Sequence, residues 1–226
     1  MHAFEYFVPT EIVFGAGSTE KLPELLKKRG LSHVLVVYGG ASAKKSGLLD
    51  RVFRLLDKAD VRYRSLGGVQ PNPRVALARE GVQLALESGA ELILAVGGGS
   101  VIDSVKMAAY CVDTCFEPWD ITMKRVVPTG RVPVGVVLTI AATGSETSDS
   151  AVLTHEGLKR GFSSDLNRPD FAVMDPELTF TLPAYQTACG TVDIMMHTME
   201  RYFTNGGNME LTDALAEGLL RTVMKK

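Results

Sequence analysis

Leu92-Ile93-Leu94-Ala95-Val96 runs directly into Gly97-Gly98-Gly99-Ser100-Val101-Ile102-Asp103. Five apolar residues without polar alternation suit a strand buried on both faces. Three glycines and a serine then turn the chain into a helix. Glycine backbone can approach a ligand without Cβ clashes. Free N–H groups at a helix start favour a pyrophosphate. Ser100 adds a hydroxyl donor. Asp103, one turn in, is placed to meet a ligand or to improve the helix N-terminus. The pattern matches neither G-x-G-x-x-G nor the Walker lysine motif. A tight turn that binds nothing is the alternative, but three successive glycines exceed what it requires.

Further strands flank this one. His33–Tyr38 (HVLVVY) is a second continuous apolar run, and Val132–Thr139 a third, less regular one. Glu11–Phe14 and Val61–Leu66 are weaker strand candidates. Between them lie amphipathic helices. One starts at Ser18 as N-cap, carries Glu20 in its first turn and Lys27-Lys28-Arg29 in its last, and stops at Gly30. A second, Gly47–Ala59, has Leu48, Val52, Leu55 and Leu56 on one stripe. A third, Arg74–Glu87, turns Ala78, Val82, Ala85 and Leu86 inward. Pro71-Asn72-Pro73 is a rigid turn. Buried strands alternating with helices predict an α/β fold, a parallel sheet with helices on both faces. Its ligand crevice belongs at the carboxyl ends of the strands.

The text changes at Leu182-Pro183. Beyond it only helices are predicted, Ala184–Phe203 and Met209–Lys226, around a loop at Asn205-Gly206-Gly207-Asn208. The expected organisation is an α/β dinucleotide-binding domain over 1–182 and the first helices of an incomplete all-α domain over 183–226. The last helix lacks a stop signal, and its stripe Leu211, Leu215, Leu219, Val223 lacks a complete partner. Lys226 therefore reads as an artificial or premature end.

Bulk properties narrow the function. In 226 residues, 24 Lys+Arg against 26 Asp+Glu leave a net charge of −2, which opposes a general nucleic-acid binder. A hydrophobic share of 46% with 22% charged residues opposes disorder. Three cysteines, Cys111, Cys115 and Cys189, oppose a disulfide scaffold and point to a reducing cytoplasm. No apolar run approaches the ~20 residues of a membrane span. Met1–Tyr6, with His2 and Glu5, does not read as a signal peptide.

Three more stretches carry candidate chemistry. Gly39-Gly40-Ala41-Ser42-Ala43-Lys44-Lys45 follows a buried strand at the same sheet edge. It lacks the acidic residue that commonly holds a free ribose 2′-hydroxyl, which suits a 2′-phosphate; a solvated basic turn accounts for it equally. Thr139–Glu146 offers small and hydroxyl residues for a ligand wall, or is an ordinary loop. Asp193 and His197 are four apart in GTVDIMMHTMERYF, on one helix face with Cβ atoms ~6 Å apart. They form half of a nitrogen-oxygen metal site or a simple intrahelical hydrogen bond. His2, His33 and His155 show no ligand spacing to this pair. Cys111 and Cys115 read as buried small hydrophobes, and Met195, Met196 and Met199 as core packing.

Together these stretches resemble the iron-containing (group III) alcohol dehydrogenases, nearest to butanol dehydrogenases and aldehyde reductases. The likeness runs from EIVFGAG at Glu11 to LAEGLLRT ending at Thr222. It is most specific in PNPR at Pro71, AVGGGSVIDSVK at Ala95, ATGSE at Ala142 and DPELTFTLPAYQTACGTVDIMMHTMERYF at Asp175. The resemblance implies hydride transfer between a nicotinamide cofactor and a primary alcohol or aldehyde, with a divalent metal, iron or zinc, and a homodimer. Gly97, Gly98, Gly99 and Ser100 would bind the pyrophosphate. Gly39, Gly40 and Ser42 would sit at the adenosine ribose, with Asn72 close by. Thr139 and Thr143 would line the cofactor path, Lys159 would reach the cofactor near its nicotinamide half, and Asp103 is a further cofactor-binding candidate. Asp193 and His197 match the first two metal ligands. The missing acid after Tyr38 tilts the cofactor to NADP(H) over NAD(H). The chain departs from the pattern at Ala41 and Ala141, and lacks the family's two later histidine ligands. A glycerol-dehydrogenase or dehydroquinate-synthase-like relative, and a non-catalytic nucleotide-binding fragment, are the competing expectations.

Overall fold

The computed structural model describes residues 5–40, 42–205, 207 and 209–225. His2, Ala41, Gly206, Asn208 and Lys226 lie outside the described residues. The strands are β1 (Glu11–Phe14), β2 (His33–Tyr38), β3 (Arg62–Leu66), β4 (Leu92–Gly97), β5 (Val134–Leu138), β6 (Ser150–His155), β7 (Leu158–Ser163) and β8 (Phe171–Met174). The helices are α1 (Leu22–Lys28), α2 (Ser42–Lys45), α3 (Leu48–Lys58), α4 (Val75–Ser88), α5 (Gly99–Thr114), α6 (Pro118–Thr122), α7 (Ala184–Tyr202) and α8 (Glu210–Met224).

Six strands form one parallel sheet in the order β1-β8-β5-β4-β2-β3. The predicted α/β architecture is therefore present, followed by helices. Alternate residues of one strand serve opposite cores, which is why the central strands read as unbroken apolar runs. Val34, Val36, Leu94 and Val96 pack with Leu22 and Leu26 of α1 and Leu49 and Val52 of α3. Leu35, Val37, Ile93 and Ala95 pack with Ala85 of α4 and Ile102 and Val105 of α5. β3 leaves β2 toward one edge, and the chain returns to set β4 on the other side of β2. The strand order thus reverses between β2 and β4, and a crevice opens there at their carboxyl ends.

A separate antiparallel hairpin, β6–β7, packs Leu153 and Phe162 against Met107 and Tyr110 of α5 and Trp119 of α6. Its two-residue turn, Glu156-Gly157, has φ of 48° and 80°, which suits a type I′ hairpin.

Local expectations need correction at several points. Gly17, not Ser18, starts the first helical segment, with φ 72°; a 3-10 turn over Ser18–Lys21 precedes α1. Ser18 is buried and its hydroxyl makes no cap. Leu86 points to solvent, 54% exposed. The cause is close packing: a Cβ on Gly81 would lie 3.7 Å from Ala108 Cβ, so the small residues of α4 face α5 and turn Leu86 outward. Cys111 is buried as expected, but Cys115 is exposed because it ends α5 in the left-handed region, φ 58°. Met196 is 55% exposed rather than core.

Candidate active site

The turn between β4 and α5 passes beneath the loop that leaves β5. Gly98, the N-cap, is extended. A Cβ there would lie 2.6 Å from Ile140 Cγ2, and one on Gly99 would lie 2.5 Å from Thr143 Oγ1. Neither position has room for a side chain. Val101 N–H bonds to Gly98 O at 3.0 Å. The amides of Gly99 and Ser100 precede any intrahelical acceptor and carry the positive end of a 16-residue helix.

This turn is the shared wall of two cavities. One, of about 280 Å³, is lined by Gly97, Gly98 and Thr139, by Gly39, Ser42, Ser46 and Arg51 across the β2–β4 gap, and by Glu177, Leu178 and Thr181. The other, of about 350 Å³, is lined by Gly99, Ser100, Asp103 and Thr143, by Asn72 and Lys159, and by Asp193 and His197. Of the predicted site residues only Gly40 lies outside both linings; it is exposed beside Gly39. The loop Thr139–Glu146 is therefore a wall, and it supplies Ser145 as well.

Four elements position the second cavity. Lys159 on β7 donates from Nζ to Asn72 Oδ1 at 2.9 Å, so the hairpin is tied to the Pro71–Pro73 turn. Asn72 is itself left-handed, φ 56°. α7 crosses the β5 loop at Gly190, where a Cβ would lie 2.7 Å from Ala141 O. That contact brings Asp193 and His197 to the cavity rim. His197 Nε2 stands 3.7 Å from Asp193 Oδ1, too far for the simple hydrogen bond. The His197 and Asp193 side chains are 45% and 42% exposed, so both donors remain open. Among the described residues no group of three or more such side chains converges on a metal-sized site. A carboxylate and an imidazole fit one side of an iron or zinc site, not a whole one.

Beneath the cavity lies a polar network of which sequence reasoning singled out only Asp103. Lys106 is fully buried, and burial pushes its ammonium down to about 8. Its signals were its place at the end of AVGGGSVIDSVK and inside the apolar run Val105–Ala109. Arg51, which faces the first cavity, came from a segment without a motif, and Glu177, facing it too, lay in the DPELTF stretch without being singled out. Gly190 stood unmarked inside an amphipathic helix.

Fold and crevice define a Rossmann-like α/β protein with a helical extension. The chain belongs to the iron-containing alcohol dehydrogenase family, whose model matches residues 9–176. It is 44% identical over 227 residues to a probable NADH-dependent butanol dehydrogenase 1 of Bacillus subtilis, covering 100% of this chain and 58% of that protein. It is 39% identical to the NADPH-dependent aldehyde reductase YqhD of Escherichia coli, over 100% of this chain and 58% of the relative. The crystal structure of NADH-dependent butanol dehydrogenase A from Thermotoga maritima superposes with a TM-score of 0.96 at 40% identity, covering 100% of this chain and 57% of that one. The chain thus spans a little under three-fifths of the length of the relatives it matches.

Proposed function

We propose that this chain carries the cofactor site and two metal ligands of an NAD(P)H-dependent alcohol dehydrogenase or aldehyde reductase acting on a primary alcohol or aldehyde. One observation supports this above the others: Asp193 and His197 share a cavity with Gly99, Ser100, Asp103 and Thr143. In this reading residues 1–182 form the dinucleotide-binding unit and 183–226 begin a helical one. The amides of Gly98, Gly99 and Ser100 bind the diphosphate, with the adenosine toward Gly39, Gly40 and Ser42. Thr139 and Thr143 cover the cofactor path, and Lys159 faces its nicotinamide half; Asn72, expected beside the adenosine ribose, instead lines the second cavity with Lys159 and Asp103. These groups hold the cofactor against the substrate and keep water from the hydride path. Asp193 and His197 would hold a divalent iron or zinc, which when bound polarises the substrate oxygen as a Lewis acid.

NADP(H) is the preferred cofactor. The loop after Tyr38 has no carboxylate, and Ser42 and Arg51 face the same cavity. Glu177 on the opposite wall works against a 2′-phosphate. The relatives carry both preferences in their names. A homodimer is the assembly, supported by the exposed Ile12 and Phe14 on edge strand β1. Three free cysteines suit a reducing cytoplasm. No helix among the described residues is long and apolar enough to cross a membrane.

The test is fluorescence titration of the 226-residue chain with NADPH and NADH, followed by butanal-dependent NADPH oxidation with added Fe²⁺ or Zn²⁺. The expected result is saturable binding, tighter for NADPH, with little or no turnover. Absence of binding refutes the cofactor site; tighter NADH binding reverses the preference. Normal turnover overturns the two-ligand argument.

A further inference from the structure

The fully buried lysine in α5 has four polar acceptors, the longest contact being Ser148 Oγ at 3.4 Å, and one consequence for the cavity above it. Lys106 Nζ donates to Ser145 Oγ at 3.0 Å, to Ser148 O at 3.0 Å and to Ser150 O at 2.8 Å. An ammonium has three donors and no acceptor. Ser145 must therefore accept from Lys106, and its one hydroxyl hydrogen is free to point onward. It points to Asp103, whose Oδ1 accepts it at 2.6 Å. Asp103 Oδ2 accepts the Val152 N–H at 3.1 Å. Both carboxyl oxygens thus receive hydrogens, an arrangement that favours the ionised carboxylate. Each oxygen keeps a further lone pair, and Asp103 lines the cavity.

We infer that Lys106 is a positioning residue that, through Ser145, keeps Asp103 a charged acceptor for a hydroxyl or amide donor on the ligand in the second cavity. The ligand part rests on the dinucleotide reading of that cavity; the Lys106–Ser145–Asp103 chain does not. Burial works against the carboxylate and raises its pKa, whereas Ser145, Lys106, the Val152 amide and Lys159 hold it down. Asp193 and His197 face it from α7 across the cavity. Lys106 in turn feels Asp103, Glu146 and Asp149, which favour its charge, and Arg168, which opposes it. The same chain of bonds pins β6 and the loop 145–150 to α5. Loss of Lys106 would therefore act on charge and on loop position together, and the two need separate readouts.

The experiment titrates Asp103 by carboxyl ¹³C NMR in the parent chain, in Lys106→Met and in Ser145→Ala, with Asp103→Asn used for assignment. NADPH affinity is measured alongside at about pH 6 and pH 7.5. Both variants are expected to move the Asp103 midpoint up by about one pH unit or more, since each removes a group that favours the charged form. Their NADPH affinity should then fall at least about threefold on going to the lower pH, with the parent unchanged. A purely structural role would weaken binding equally at both pH values. Unchanged Asp103 midpoints in the folded variants, or a parent Asp103 protonated at neutral pH, overturn the inference. If Lys106→Met does not fold, Ser145→Ala decides alone, because it keeps the lysine. Shifted midpoints without any NADPH binding would sink the cofactor reading and leave the positioning chain standing.

Discussion

The sheet unit and the two last helices carry the same kind of sequence and meet water differently. On α3 the stripe Leu48, Leu49, Val52, Leu55, Leu56 is at most 5% exposed. On α8 the equivalent stripe Leu211, Leu215, Leu219 is 67%, 66% and 46% exposed. α7 buries only Gly190 and Thr198. Periodicity therefore identifies a helix face whether or not a partner covers it. Among the described residues, stability resides in the sheet and its flanking helices. The Asp193–His197 pair, by contrast, sits on a helix that buries little and approaches the β5 loop at Gly190.

The largest test of this contrast compares leucines. Leu94 on β4 is fully buried, and Leu94→Ala should cost about 2–5 kcal/mol in urea denaturation. Leu215→Ala should stay within about 0.5 kcal/mol. Equal losses would mean that α8 is covered in solution and would break the comparison. Next is Gly98→Val. Its Cβ would meet Ile140 and crowd the amides of the turn. NADPH affinity should drop about 100-fold, near 2.7 kcal/mol. The sheet should stay folded by circular dichroism, so binding and stability separate within one unit. Smaller still is Gly190→Val, which forces a side chain onto Ala141 O. Overpacking of this kind costs about 1–3 kcal/mol. A loss below about 0.5 kcal/mol would show that α7 is not seated on the β5 loop.

The same contrast explains what could be read ahead of the coordinates. β2 and β4 were legible because both faces are buried and their text is apolar throughout. The glycine turn was legible because Gly97, Gly98 and Gly99 have no reason to be consecutive except close approach. β7 was not, since Leu158-Lys159-Arg160-Gly161 is exposed and polar and only Phe162 reaches a core. Its turn signal, Glu156-Gly157, was present but weak beside the Asn-Gly and Asp-Gly pairs that usually mark such hairpins. β8 is a four-residue apolar run, at the short limit where periodicity cannot tell a buried strand from a buried helix segment. In the site, spacing paired Asp193 with His197, but only coordinates show that they face Gly99 and Ser100. Lys106 was hidden for a related reason: a buried charge is recognised by its partners, and Ser145, Ser148 and Ser150 are some forty residues away in sequence.

The smallest effect concerns the sheet's own periphery, where the comparison predicts weak coupling again. β1 is held at the edge beside β8, and Glu11 ties it to α1. Its carboxylate accepts from Arg29 Nη2 at 2.7 Å and from Lys28 Nζ at 3.1 Å. Arg29 first, then Lys28, hold its pKa below the usual carboxylate value. A lowered folded-state pKa means that the unfolded chain binds the proton more readily. The stabilisation is therefore present above the unfolded pKa and lost as pH falls through the folded one. The Glu11 side chain is 36% exposed, so water screens the pair and the contribution stays under about 1 kcal/mol. Glu11→Gln should destabilise by that small amount at neutral pH. The difference should shrink toward zero as pH falls through the lowered folded-state pKa, and also in about 1 M salt, where the screening length is near 3 Å. A penalty that persisted unchanged in acid would mean that Glu11 acts by packing, and that edge strand β1 is bound as firmly as the strands at the centre.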